Sequence, residues 1–261
     1  MNKYKKGAFV HIIDPRPLDW EHQFQLIDSL PLREHVEMWV EYIPTREEKG
    51  ILRDMVKGRE AIIHGPFIHM SLVSHLDNLA EISLRRCNEA IELATFLGAK
   101  LVTLHAGTYP IFDSRESAFE RLGRRFFEIA KLKSPIICLE NMPVRGGTVK
   151  ECLGRLDDLR AFKSIIPDIH FTLDIGHCLQ NRDDFEMFLR EESSCIENIH
   201  LHDGNAGGRS HLPIGTGSLN LQELLDLFTS VPFTKYVGLE TISFEDTKSS
   251  WKLWLEAEQR K

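Results

Sequence analysis

Eight short runs rich in β-branched residues recur along the chain, separated by stretches with helical periodicity, and this alternation does most to limit the fold. The runs fall near residues 7–13, 36–43, 61–65, 100–105, 135–141, 169–174, 196–202 and 236–241. A helix-length connection after each strand is the pattern of a parallel sheet with crossover helices. Six consecutive runs, the third to the eighth, also end in a side chain able to ligate a metal. They read Ile62-Ile63-His64, Val102-Thr103-Leu104-His105, Ile137-Cys138-Leu139-Glu140, Phe171-Thr172-Leu173-Asp174, Ile199-His200-Leu201-His202 and Val237-Gly238-Leu239-Glu240. Twelve histidines scattered at random would not collect at strand ends in this way.

Two parallel architectures suit a chain of 261 residues, a closed barrel or an open doubly wound sheet. The open sheet needs a glycine-rich phosphate turn after its first strand. His11-Ile12-Ile13-Asp14-Pro15-Arg16-Pro17 has no glycine. The reading is therefore α/β, a single (β/α)8 barrel spanning residues 1–261. Local signals place the helices between the strands. Thr45-x-x-Glu48 and Asp113-x-x-Glu116 resemble capping boxes, and the longest helix runs from about Ser74 to Leu97, closed by Gly98. Asn220 caps a helix through Phe228, and a last helix over about 246–259 packs Trp251 and Trp254 on the barrel.

Composition removes several classes of function. The formal net charge of −7 argues against a dedicated nucleic-acid binder, and the mouth loops hold only dispersed cations, Arg16, Arg46, Arg145, Arg182 and Arg209. Five cysteines, an odd number without a C-x-x-C pair, read as reduced thiols. No apolar stretch approaches the roughly 18 residues of a membrane span, and no signal-like apolar run follows the lysine-containing start. The expectation is a cytoplasmic protein with no membrane partner.

Active-site residues of such a barrel project from the C-terminal strand ends, so these histidines and acids should converge on one mouth. Gathering carboxylates and imidazoles in one pocket is costly unless a cation neutralises them. Mixed nitrogen and oxygen donors suit zinc, manganese or iron better than calcium. Asp174 ends the sixth strand, with His177 three residues into the following loop. His200 and His202 share a face because strand side chains alternate, and Asp203 then takes a hydrogen-bonding role. The loop Asp203–Gly217 carries five glycines; its N–H groups suit an anion-binding nest, with Arg209 and His211 as substrate contacts. His11 ends the first strand region and could line the pocket, with Glu41 and Phe67 as weaker candidates.

The segments Ile63-His64-Gly65-Pro66, Leu104-His105-Ala106-Gly107, Leu139-Glu140-Asn141, Leu173-Asp174-Ile175-Gly176-His177, His200-Leu201-His202-Asp203, His211-Leu212-Pro213-Ile214-Gly215-Thr216-Gly217 and Gly238-Leu239-Glu240 together resemble the xylose-isomerase-like TIM-barrel superfamily. That group holds sugar and sugar-phosphate isomerases and epimerases, and also endonuclease IV. The resemblance implies one divalent metal on Glu140, Asp174, His200 and Glu240, with both glutamates moving a proton between adjacent carbons of the substrate through an enediolate. It implies substrate contacts from His177 and Arg209; by their positions, His202, His211, His11 and Phe67 are further substrate-side candidates. Endonuclease IV binds three zinc ions, with further ligands matching His64, His105, His177 and His211. Its aspartate two residues before the last of these is Arg209 here, a cation that would repel a third metal. His64 and His105 leave a second metal on Glu140 open.

The expected function is thus a metal-dependent isomerase or epimerase of a sugar, a sugar phosphate or a related polyol ketone. Its cofactor would be Mn2+ or Zn2+, one ion per chain, with two or three left open. The alternative is an endonuclease IV-like phosphodiesterase acting at abasic sites in DNA.

Overall fold

The structure is a computed structural model; it describes residues 4–260 apart from 131, 133, 145 and 232, and of residues 128 and 130 only the backbone. Arg145 therefore lies outside the described residues. The first half of the chain runs β1 (Lys5–Ile12), α1 (Pro17–Asp28), β2 (His35–Val40), α2 (Arg46–Met55), β3 (Glu60–His64), α3 (Asp77–Leu97), β4 (Leu101–Leu104), β5 (Thr108–Pro110) and α4 (Arg115–Ala130). It continues with β6 (Ile136–Glu140), β7 (Val149–Glu151), α5 (Leu156–Lys163), β8 (His170–Asp174), α6 (Ile175–Asn181) and α7 (Phe185–Glu192). The last elements are β9 (Ile196–Leu201), α8 (Leu221–Ser230), β10 (Tyr236–Leu239) and α9 (Phe244–Gln259).

Eight strands close a barrel in the order β1-β2-β3-β4-β6-β8-β9-β10, and β10 returns to β1. Every pairing in it is parallel. Alternation along each strand divides the side chains into two sets. On β1 and β2 the apolar set Ala8, Val10, Ile12, Val36, Met38 and Val40 joins the main core with the helices. The other set faces the interior and is unusually polar. Ile62, Leu101 and Cys138 form a small apolar cluster there, Thr103 and Thr172 hydrogen-bond across it at 2.7 Å, and the histidines and acids lie toward the strand ends. Trp251 and Trp254 of α9 are buried as expected, and their indole N–H groups donate to Pro31 O and Tyr4 Oη. Burying each such side chain contributes about 1.5–3 kcal/mol.

Local signals performed unevenly. The Thr45/Glu48 capping box forms, and Gly98 closes α3 in the left-handed region at φ 69°. Asp113/Glu116 does not form one. The Ser114 hydroxyl accepts the Ser117 N–H instead, while Asp113 accepts the Ser114 N–H and pairs with Arg121. Two features had no counterpart in the sequence reading. One is the antiparallel β5–β7 pair in the connections after β4 and β6. The other is α6, which begins immediately after Asp174, so His177 stands in a helical first turn rather than in a loop.

Candidate metal centre

Four side chains from four strand ends meet at the barrel mouth. Glu140 closes β6, Asp174 closes β8, His200 stands in β9, and Glu240 follows β10 directly. Each offers a donor atom, and these atoms all lie within 4.8 Å of one another. Asp174 has a second task as N-cap of α6, where Oδ1 accepts the His177 N–H at 2.6 Å. His200 Nδ1 lies 3.1 Å from Glu140 Oε1 and 2.9 Å from Glu240 Oε2. One N–H cannot serve both oxygens, and the buried Glu240 Oε2 has no other hydrogen-bond partner among the described residues. Burial alone would push the Glu140 carboxyl up, but the His200 and His105 imidazoles outweigh it and hold it well below the usual carboxylate range. Burial works against charge on His200 too, yet Glu140, Glu37 and Glu240 together raise it well above the usual imidazole value. Glu140 and His200 thus favour each other's charged forms. A divalent cation would neutralise the acids directly, and one imidazole with three carboxylates, two of them crowded on one N–H, forms a donor set that fits zinc or manganese.

Two further places around this centre have the same character. Glu140 Oε2 lies 2.8 Å from His105 Nε2 and 3.4 Å from His64 Nε2. His64 Nδ1 is 3.1 Å from the Gly65 carbonyl and Nε2 faces the Glu140 carboxylate; both are acceptors, and although burial works against charge on this ring, Glu140 outweighs it and raises the His64 pKa. His177 and His211 likewise turn Nδ1 to a carbonyl. Their Nδ1 atoms lie 2.9 Å from Asn141 O and 3.4 Å from Glu240 O, and their Nε2 atoms meet at 3.3 Å, one ring donating and the other accepting. Burial lowers the His177 pKa and so favours its neutral ring. Two nitrogens bound tetrahedrally to one zinc at about 2.0–2.1 Å sit about 3.3–3.4 Å apart. The pair thus has the spacing of two ligands of a shared cation.

His202 is pointed inward, as its spacing from His200 requires, but both its nitrogens are engaged. Nδ1 accepts the His211 N–H at 2.8 Å, so Nε2 carries the proton and donates to Asp174 Oδ2 at 2.9 Å. The fully buried ring has no nitrogen left for a substrate, and it braces Asp174 and the His211 backbone instead. It lies against Gly176, where a Cβ would overlap it.

The anion nest expected in the glycine-rich loop exists, but the chain fills it. Asp203 Oδ1 accepts from the Gly204 and Leu219 N–H groups at 2.8 and 2.9 Å, and Oδ2 from those of Gly215 and Gly217 at 2.9 Å each. These groups are not available to a substrate phosphate. Asp203 takes the hydrogen-bonding role expected of it and fixes the loop that carries His211. Arg209 is exposed at the loop's outer turn, and its carbonyl accepts the Asn205 N–H.

An aromatic wall flanks His64 and His105. Phe67 stacks on Trp39 with ring centroids 5.3 Å apart, and His11 sets its edge on the same indole. Glu41 Oε1 accepts from Trp39 Nε1 and from the Phe67 and Ile68 N–H groups, so this acid holds the wall rather than facing the metal ligands. Trp39, Asn141 and Glu37 are the participants that sequence reasoning missed. Asn141 brackets Asp174 by accepting its N–H and donating to its carbonyl. Glu37 is fully buried and lies 3.0 Å from His200 Nε2. Period-two alternation in Val36-Glu37-Met38-Trp39-Val40 could have found both strand residues, since it turns Glu37 and Trp39 inward.

A closed parallel barrel with clustered imidazoles and carboxylates at its strand ends defines the class: a (β/α)8 protein with a candidate metal centre at the mouth. The family model described as xylose isomerase-like TIM barrel matches residues 20–259, and the chain belongs to that family. An uncharacterized protein of Methanocaldococcus jannaschii is 28% identical over 188 residues, covering 70% of this chain and 72% of that protein. A probable endonuclease 4 of Thermotoga maritima is 22% identical over 189 residues, covering 66% of this chain and 65% of the relative. Among solved structures, a D-tagatose 3-epimerase-like protein superposes with a TM-score of 0.81 at 22% identity over 97% of each chain, which shows a shared fold.

Proposed function

We propose that this protein is a divalent-metal-dependent isomerase or epimerase of a sugar, a sugar phosphate or a related polyol ketone. The observation that carries the reading is the convergence of Glu140, Asp174, His200 and Glu240, with two glutamates meeting the same nitrogen, Nδ1, of one imidazole. Bound Mn2+ or Zn2+ would polarise a substrate carbonyl and acidify the neighbouring C–H. Glu240 is the better placed of the two glutamates to take that proton, being 18% exposed with Oε2 meeting only the shared His200 Nδ1 among the described residues. Glu140 is 1% exposed and has both oxygens engaged, which suits it to hold the metal first and return a proton second. His177, His211 and Arg209 would orient hydroxyl or phosphate oxygens, and Phe67 on Trp39 would cover a C–H face of the sugar. Among described residues no helix is long and apolar enough to cross a membrane. Five buried free thiols support a reducing compartment, the cytoplasm.

The test is proton exchange. Ketoses and their phosphates are incubated in D2O with the metal-loaded protein, and carbon-bound deuterium is read by NMR. Exchange at one carbon, lost in Glu240→Gln, is expected.

The opposed Nε2 atoms of His177 and His211, with His64 and His105 on Glu140, favour a second reading, an endonuclease IV-like phosphodiesterase with more than one metal. Metal-dependent incision of an abasic duplex, with two or three zinc ions per chain and no deuterium exchange, would replace the first reading by this one.

A further inference from the structure

Glu37 crosses the inside of the barrel. It stands on β2, yet both its oxygens meet β9: Oε1 lies 3.0 Å from His200 Nε2, and Oε2 accepts from Asn198 Nδ2 at 2.9 Å. Strands β1 and β10 lie between β2 and β9. Gly7 and Gly238 are register partners there, and they pair onward with His35 and His200. A Cβ on Gly238 would sit 3.3 Å from Glu37 Oε2 and 3.4 Å from the Phe9 ring. A side chain there would crowd the carboxylate, so the glycine leaves its path open. Glu37 is fully buried, and holding a carboxylate so deep costs several kcal/mol that its hydrogen bonds must offset.

The consequence falls on His200. A neutral imidazole carries one proton, and which nitrogen bears it is decided by what each nitrogen faces. Nδ1 of His200 is turned toward Glu140 and Glu240, while Nε2 is turned toward Glu37 alone. A carboxylate only accepts, so Glu37 keeps a proton on Nε2, and Nδ1, which faces Glu140 and Glu240, is the nitrogen left to exchange its proton for a cation. We propose that Glu37 is a positioning residue that selects Nδ1 of His200 as its metal-binding atom, with Asn198 holding the carboxylate in place. The inference rests on the reading of His200 as a metal ligand given above. Partners that orient a metal-bound imidazole typically change metal affinity by about 10–100-fold when removed.

Zn2+ affinity is measured by competition with a chromogenic chelator for the wild-type chain, Glu37→Leu and Glu37→Gln. The His200 ring nitrogens are followed by long-range 15N–1H NMR on histidine-labelled protein. Affinity should fall by at least about tenfold in Glu37→Leu, with Glu37→Gln in between, because its amide oxygen can still accept from Nε2–H while its charge is gone. The Nε2–H signature of zinc-loaded His200 should persist in Glu37→Gln and weaken in Glu37→Leu. A loss below about tenfold in Glu37→Leu, with the wild-type His200 pattern, overturns the proposal. Should Glu37→Leu not fold, Glu37→Gln decides, and affinity within about twofold of wild type overturns it. Failure of the wild-type chain to bind zinc at all would strike the metal-centre reading itself, a result distinct from either of these.

Discussion

Replacing Asp203 by Asn keeps the shape of the loop anchor and removes half of its acceptors. The carboxylate accepts four backbone N–H groups, two at each oxygen. An asparagine side chain presents one oxygen and one amide N–H2, so two of the four donors must face another donor. Gly204 and Leu219 are buried, whereas Gly215 and Gly217 are exposed and can turn to water. The amide should therefore place its nitrogen toward the glycine pair. Two hydrogen bonds to a charged acceptor are lost there, at about 1.5–3 kcal/mol each before rehydration, for a net cost of about 3–4 kcal/mol. At roughly 2–4 °C per kcal/mol for chains approaching this size, the melting temperature should fall by roughly 6–16 °C. Thermal melts followed by circular dichroism measure the total, and hydrogen exchange localises it to residues 204–219. A loss below about 1 kcal/mol, or lost protection spread over the barrel strands, would refute the assignment of Asp203 as the loop's internal anion.

Three other perturbations test separate parts of the molecule. Gly176→Ala puts a Cβ into the His202 ring, which should leave Asp174 and the His211 N–H; a Zn2+ affinity lower by about tenfold or more is expected, and unchanged binding would separate His202 from the centre. Glu240→Gln should slow carbon–hydrogen exchange by about 10²–10⁴-fold while zinc still binds through Glu140, Asp174 and His200; a variant as active as wild type would remove Glu240 from proton transfer. His35 is fully buried, and desolvation lowers its pKa from 6.5 to about 3. Between those values the unfolded chain holds the proton and the folded one does not, so stability should fall as the pH drops through that window, by about 5 kcal/mol in all. His35→Phe keeps a ring against Gly7 and should flatten that part of the pH–stability curve, whereas an identical acid slope would contradict the burial of a neutral imidazole.

Much of the fold was legible because its signals are local. Seven of the eight barrel strands have both ends within two residues of the range read from alternation, β2 stopping three short of its own, and Gly98 and Thr45 act as punctuation where short-range sterics and capping demand it. Asp113 failed because a neighbouring serine competed for the same helix end, a contest too close for residue type to settle. The glycine-rich loop was readable as a nest, since glycine runs free their N–H groups to converge. Its anion was not, because Asp203 reaches those groups only once the loop has curled back over it.

The sequence by itself determined that this chain closes a parallel barrel and that its histidines and acids gather at one end of it. Both follow from periods of two and 3.6 residues, which every short segment carries within itself. Only the tertiary structure decided what each gathered side chain does. Glu37 and His200 are 163 positions apart, joined across the barrel interior past a glycine. His202 was free to be read as a substrate contact until the His211 N–H and Asp174 occupied both its nitrogens. A hydrogen bond is set by direction and distance at its two ends. When those ends come from different strands, only closure of the barrel brings them into register.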